Sequence, residues 1–141
     1  MPTLSRYKTD RVWNINANII AADLIGTGIT ALIIESIQSK LNSPHSIVIV
    51  TALIDGTISL ALFALLHLNA NRDRGVKDLA RIQVQRWVLT PLNYLVGGSM
   101  QYLLLTIGLR PSIGVVVSYV TALIFVRTVH TIYGKRTGLF H

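Results

Sequence analysis

Cysteine is absent from this 141-residue chain, and charged residues make up only 13% of it. The first absence excludes a disulfide framework, a thiolate nucleophile and a cysteine metal site. The second reaches further, because a soluble domain carries about a quarter charged residues to keep its surface wetted. The familiar catalytic spacings are missing too. There is no GxSxG, no HExxH, no phosphate-binding Walker loop and no paired metal-ligand motif. "IGTGIT" at Ile25 to Thr30 has two glycines, but it lies inside an apolar helical pattern, where close helix packing explains it better than phosphate binding. The chain reads as non-enzymatic, without metal or cofactor.

What the chain has is apolar length. Hydrophobic residues reach 51%, and they gather in four runs, about 17–37, 46–68, 88–108 and 112–133. A bilayer core of about 30 Å needs about 20 helical residues, and each run supplies them. Pro44, Gly108 and Pro111 mark tight connections within the pairs. The expected fold is an all-α integral membrane protein. One domain, 1–141, holds four transmembrane helices as two antiparallel hairpins joined by a basic loop, 69–87. The basic start followed by an apolar run is signal-like, but Asp23 interrupts it and no small-residue cleavage site follows, so it reads as a retained first helix.

The formal charge of +7 sits between the runs rather than along them, which argues against a nucleic-acid partner. Arg6, Lys8 and Arg11 precede the first run. Arg72, Arg74, Lys77, Arg81 and Arg86 lie in the middle loop, and Arg127, Lys135 and Arg136 lie at the end of the fourth run. Only Lys40 and Arg110 fall on the opposite side, so the positive-inside rule puts both termini and the middle loop in the cytoplasm. Trp13, Trp87 and Tyr133 fall at those same boundaries, where amphipathic rings anchor. The segment "DRGVKDLARIQVQRW" reads either as a surface helix or as an extension of the third span.

Polar residues inside the runs are few enough to be informative. Counting about 1.5 Å per residue from the cytoplasmic ends puts Asp23 and Arg127 about 9 Å deep, with Asn93 and His130 near the same shelf. Such a shelf is either a pocket in which Arg127 binds a phosphate while Asp23 is its resting partner, or a structural pair. A second shelf, about 20 Å deep, collects Thr30, Asp55, Gln101 and Tyr119, one from each helix. Thr51, Asp55 and Ser59 share one face of the second helix. Thr90, Asn93, Gly97 and Gln101 do the same on the third, and Asp23, Thr27 and Thr30 on the first. An ionised Asp costs about 3 kcal/mol at this depth, so Asp55 must be paired or stay protonated. It reads evenly as a proton-coupling or substrate carboxylate and as a polar clamp between helices. Gly26, Gly28, Gly97 and Gly98 are the expected close-packing positions. His67 and His130 near the cytoplasmic face have no flanking ligand motif and read as interfacial.

"LIGTGITALII" and "LIDGTISLALF" in the first two runs share a short likeness, consistent with duplicated hairpins. The second half carries a further pattern. Arg86 and Trp87 enter an apolar run, "GLRPS" forms the outer turn at Gly108 to Ser112, and Tyr133, Lys135 and Arg136 close the last helix. With four short spans and a basic loop between hairpins, this resembles the GtrA-like membrane proteins. The resemblance implies a role in translocating or handling a polyprenyl-phosphate-linked sugar, or another anionic lipid, beside a glycosyltransferase in polysaccharide biosynthesis. The membrane would be the bacterial inner membrane, and Arg127 and the basic loop would contact the lipid phosphate. A different class is an accessory subunit that packs its small-residue faces against a larger membrane complex or a second copy of itself. The segment "AADLIGT" also resembles the acidic segment of small multidrug transporters, which makes a small proton-coupled transporter the third reading.

Overall fold

The computed structural model describes residues 11–71 and 75–137. Every described element is helical: α1 Arg11–Ile37, a 3-10 turn Gln38–Lys40, α2 Pro44–Ala70, α3 Gly75–Thr106 and α4 Pro111–Thr137. Arg6, Lys8, Arg72 and Arg74 lie outside the described residues, as do the side chains of Arg11, Arg81, His130, Tyr133, Lys135 and Arg136. Among the described residues three helices are long and apolar enough to cross a membrane, over Trp13–Lys40, Pro44–Ala70 and Pro111–Val129, which points to a membrane location.

The third run differs from expectation. The stretch read as a loop over 69–87 is helical from Gly75 onward, so α3 spans 32 residues and takes the form of the extended third helix. Its first half carries Lys77, Asp78, Arg81 and Arg86, and its second half is broken by Thr90, Pro91, Asn93 and Gln101. That mixture keeps α3 below the apolarity of the other three.

The helix ends follow from local chemistry. Ser43 caps α2, its Oγ accepting the Ser46 amide at 3.2 Å, and Pro44 takes the first helical position, where an amide is not needed. At the end of α3 the Leu109 amide donates to the Leu104 carbonyl and the Gly108 amide to Leu105, each at 3.0 Å, with Gly108 at φ 84°. This is a Schellman stop, and its left-handed residue strains any side chain with a Cβ. Gly108→Ala is therefore expected to cost about 1 kcal/mol, read as a lower thermal midpoint in detergent.

The four helices pack in a ring in which each contacts its two neighbours, α1 on α2, α2 on α3, α3 on α4 and α4 on α1. Neighbours run antiparallel, since Thr27 meets Asp55 and Asn16 meets Arg127. Two apolar clusters result. One, toward the two short turns, holds Ala31, Ile34, Ile47, Val115 and Tyr119. The other, toward the opposite basic end, holds Ile19, Ala22, Phe63 and Ile82. Polar side chains occupy the interior between them.

Candidate functional site

Two polar assemblies are built on this frame. The first is at the basic end, where α1, α3 and α4 each supply a charged group. Arg86 Nη2 donates to Asp23 Oδ1 at 2.9 Å, and Arg127 Nη2 lies 3.9 Å from Asp23 Oδ2. Arg127 Nη1 also donates to Asn16 Oδ1 at 3.3 Å. The Arg86 guanidinium rests 4.6 Å above the Phe63 ring, a cation–π contact that fixes its plane. The three charged side chains are 17–23% exposed. Two guanidiniums thus share one carboxylate, leaving one positive charge over among these three groups.

The pairing of Asp23 with Arg127 was legible from depth, but the nearer partner is Arg86. The signal for Arg86 was present: it extends the stripe Thr90, Asn93, Gly97, Gln101 by one more helical turn, and Thr90 Oγ1 donates back to its carbonyl. Taking Arg86 as a charge marking the boundary of the third run hid it. Asn93 lies two turns further along α3, about 10 Å from the level of Arg86, half-buried and apart from the cluster. His130 lies outside the described side chains.

Nearby, an amide network ties α1 to the end of α2. Asn71 Nδ2 donates to Asn14 Oδ1 at 2.9 Å, and Asn18 Nδ2 donates to the same oxygen at 3.1 Å. His67, 1% exposed, stacks at a tilt on Phe63 and belongs to this buried structure rather than to the membrane surface. Asn14 and Asn18 escaped sequence reading, although their spacing of four puts them on one helix face.

The second assembly is the interior layer. Thr30, Thr51, Gln101 and Ser118, one from each helix, are all 0% exposed. Asp55 at 5% and Tyr119 at 3% lie beside them. The expected shelf of Thr30, Asp55, Gln101 and Tyr119 is thus buried. Asp55 Oδ1 accepts from Thr27 Oγ1 at 3.2 Å. Gln101 Nε2 donates to Thr51 Oγ1 at 2.9 Å, one turn from Asp55. Thr51 spends its own proton on the Ile47 carbonyl at 2.7 Å, so it accepts from Gln101, and this fixes which end of the amide faces it. Among the described residues, Thr30 Oγ1, Ser59 Oγ, Gln101 Oε1 and Tyr119 OH have no hydrogen-bond partner, and Asp55 has no cation within 4.0 Å.

Small residues close this layer. A Cβ at Gly26 would strike Ser59, one at Gly56 would strike the Tyr94 hydroxyl, and one at Gly97 would come within 3.3 Å of Ala122 Cβ. Gly98 touches Val48 at an ordinary 3.4 Å. Gly28 does not belong to the set, since nothing lies within 4 Å of a Cβ built there. Gly56 was not anticipated.

Compared with known families, curated proteins and solved structures, the chain matches none. Its chemistry is therefore read from the two assemblies alone. The charged cluster is suited to hold a planar or tetrahedral anion, because guanidinium forks match phosphate geometry. The interior layer is suited to hold four helices in register. Asp55→Asn keeps an acceptor for Thr27 and is expected to leave the thermal midpoint in detergent nearly unchanged. Asp55→Ala loses the α1–α2 bond, at a cost of about 1 kcal/mol. Equal losses in both variants would mean that the carboxylate's charge, not its acceptor, is what the bundle uses.

Proposed function

We propose that the chain is a non-enzymatic membrane protein that handles an anionic lipid, with Arg86 and Arg127 as the phosphate contacts and Asp23 as their resting counter-ion. The observation that carries this reading is the sharing of one carboxylate by two guanidiniums, 2.9 and 3.9 Å away, on helices α1, α3 and α4. A carboxylate shared by two guanidiniums is a built-in, displaceable anion, and the site is poised to exchange it for a phosphate.

In this reading α3 is the fourth span, and the cluster lies on the cytoplasmic side with both termini, following the eleven Lys and Arg residues gathered there. The lipid is of the polyprenyl-phosphate-linked sugar type. The membrane is the bacterial inner membrane, and the working partner is a glycosyltransferase. The resemblance of the second half to GtrA-like proteins supports these last assignments.

A second reading has its own observation. The interior layer is shut by the contacts of Gly26, Gly56 and Gly97, which favours a rigid accessory subunit of a larger membrane complex over a passage through the bundle. Isolation in mild detergent, with identification of the lipids and proteins that accompany the chain, separates the two. Enrichment of polyprenyl phosphates supports the first reading. A stoichiometric complex that brings no anionic lipid with it supports the second and sinks the first.

A further inference from the structure

At the end of the bundle away from the charged cluster, α1 and α4 leave a groove between them with a volume of about 380 Å³. Its walls are apolar and face outward, with Leu32 74%, Ile113 46%, Val116 42% and Val117 38% exposed. At its head stands a second ion pair, in which Arg110 Nη2 donates to Glu35 Oε1 at 2.7 Å. Arg110 is 73% exposed, and a guanidinium has five N–H donors, of which this bond uses one.

An outward apolar groove on helices that cross a bilayer takes an acyl chain, and the head of this groove states which lipid. A cation at the residue before α4 and an anion on α1 stand side by side. They mirror the phosphate and the primary ammonium of a zwitterionic amine headgroup. We propose that the α1–α4 groove is a binding site for phosphatidylethanolamine, with the lipid phosphate on Arg110, the ammonium on Glu35 Oε1, since Oε2 is enclosed, and one acyl chain along Leu32, Val116 and Val117. A choline headgroup offers no N–H to Glu35, and a glycerol headgroup offers no positive charge, so both fit half of the head. Arg110 lies about 26 Å along α4 from Arg127, which makes this site separate from the charged cluster and independent of the function assigned to it.

The test is retention of lipid by the full chain in nanodiscs containing equal phosphatidylethanolamine, phosphatidylcholine and phosphatidylglycerol, released into native mass spectrometry. Phosphatidylethanolamine is expected to be retained about tenfold over phosphatidylcholine, the worth of one charge-assisted bond. Glu35→Gln should abolish that preference while leaving a bound lipid, and Arg110→Gln should lower retention of all three. Val116→Trp, which fills the groove from an outward position, should lower retention without changing the headgroup order. Equal retention of phosphatidylethanolamine and phosphatidylcholine by the wild-type chain overturns the proposal, as does an unchanged pattern in both head variants.

Discussion

Asp23→Asn is expected to lower the stability of the bundle and to raise its affinity for an anionic lipid at the same time. Removing one member of a buried ion pair leaves its partner uncompensated, at a cost of 3–5 kcal/mol for a fully buried pair. Here the three side chains keep roughly a fifth of their surface exposed, so the loss falls at the lower end, about 3 kcal/mol. The same change removes the anion that competes with a phosphate for Arg86 and Arg127. Each charge-assisted hydrogen bond is worth about 1.5–3 kcal/mol, so affinity should rise about tenfold or more. A purely structural ion pair predicts the first effect without the second. Thermal unfolding in detergent and a titration with polyprenyl phosphate therefore read different outcomes from one variant.

The second large effect concerns packing. Gly97→Leu is expected to disrupt the α3–α4 interface, because the first added carbon already lies 3.3 Å from Ala122 Cβ and 3.7 Å from Tyr119. The remaining three carbons of leucine have to enter α4 itself. Overpacking of this kind costs about 3 kcal/mol or more where backbone stands behind the clash, and the Ser118 carbonyl lies 3.8 Å away. Gly28→Leu is the matched control. Nothing lies within 4 Å of its Cβ, and a leucine there meets lipid, so its thermal midpoint should be unchanged or raised. If both glycines tolerate leucine, α3 and α4 are not in the close contact that positions Gln101 and Tyr119.

The contrast between Gly26 and Gly28 shows what sequence can settle. α1 buries Ala22, Gly26, Thr30 and Ile34, a run spaced by four, and Gly26 belongs to that stripe while Gly28 does not. Both were expected at close-packing positions, and the helical periodicity that separates them was not applied to the pair. The same periodicity made the interior faces of α2 and α3 legible, and the short turns gave the hairpins.

Register was not legible. Counting depth from assumed membrane boundaries set Gln101 level with Asp55, whereas packing sets Gln101 against Thr51, one helical turn away. Each helix end was fixed separately by composition, and an error of a few residues in one end moves a side chain by a full turn. α3 shows why ends are hard to read: its helix continues through Lys77, Asp78 and Arg81, a charged stretch that looks like loop although Lys and Arg are good helix formers. That continuation brings Arg86 to Asp23. The charged cluster was therefore half visible, with its α1 and α4 members found and its closest arginine taken for a boundary marker.

The most direct test of the anionic-lipid reading is a titration of the purified chain with a polyprenyl phosphate and, in parallel, with the matching neutral polyprenol. The account predicts saturable binding of the phosphate only, weakened about ten- to a hundredfold in Arg86→Gln and Arg127→Gln. Equal binding of phosphate and alcohol, or wild-type affinity in both folded variants, contradicts it.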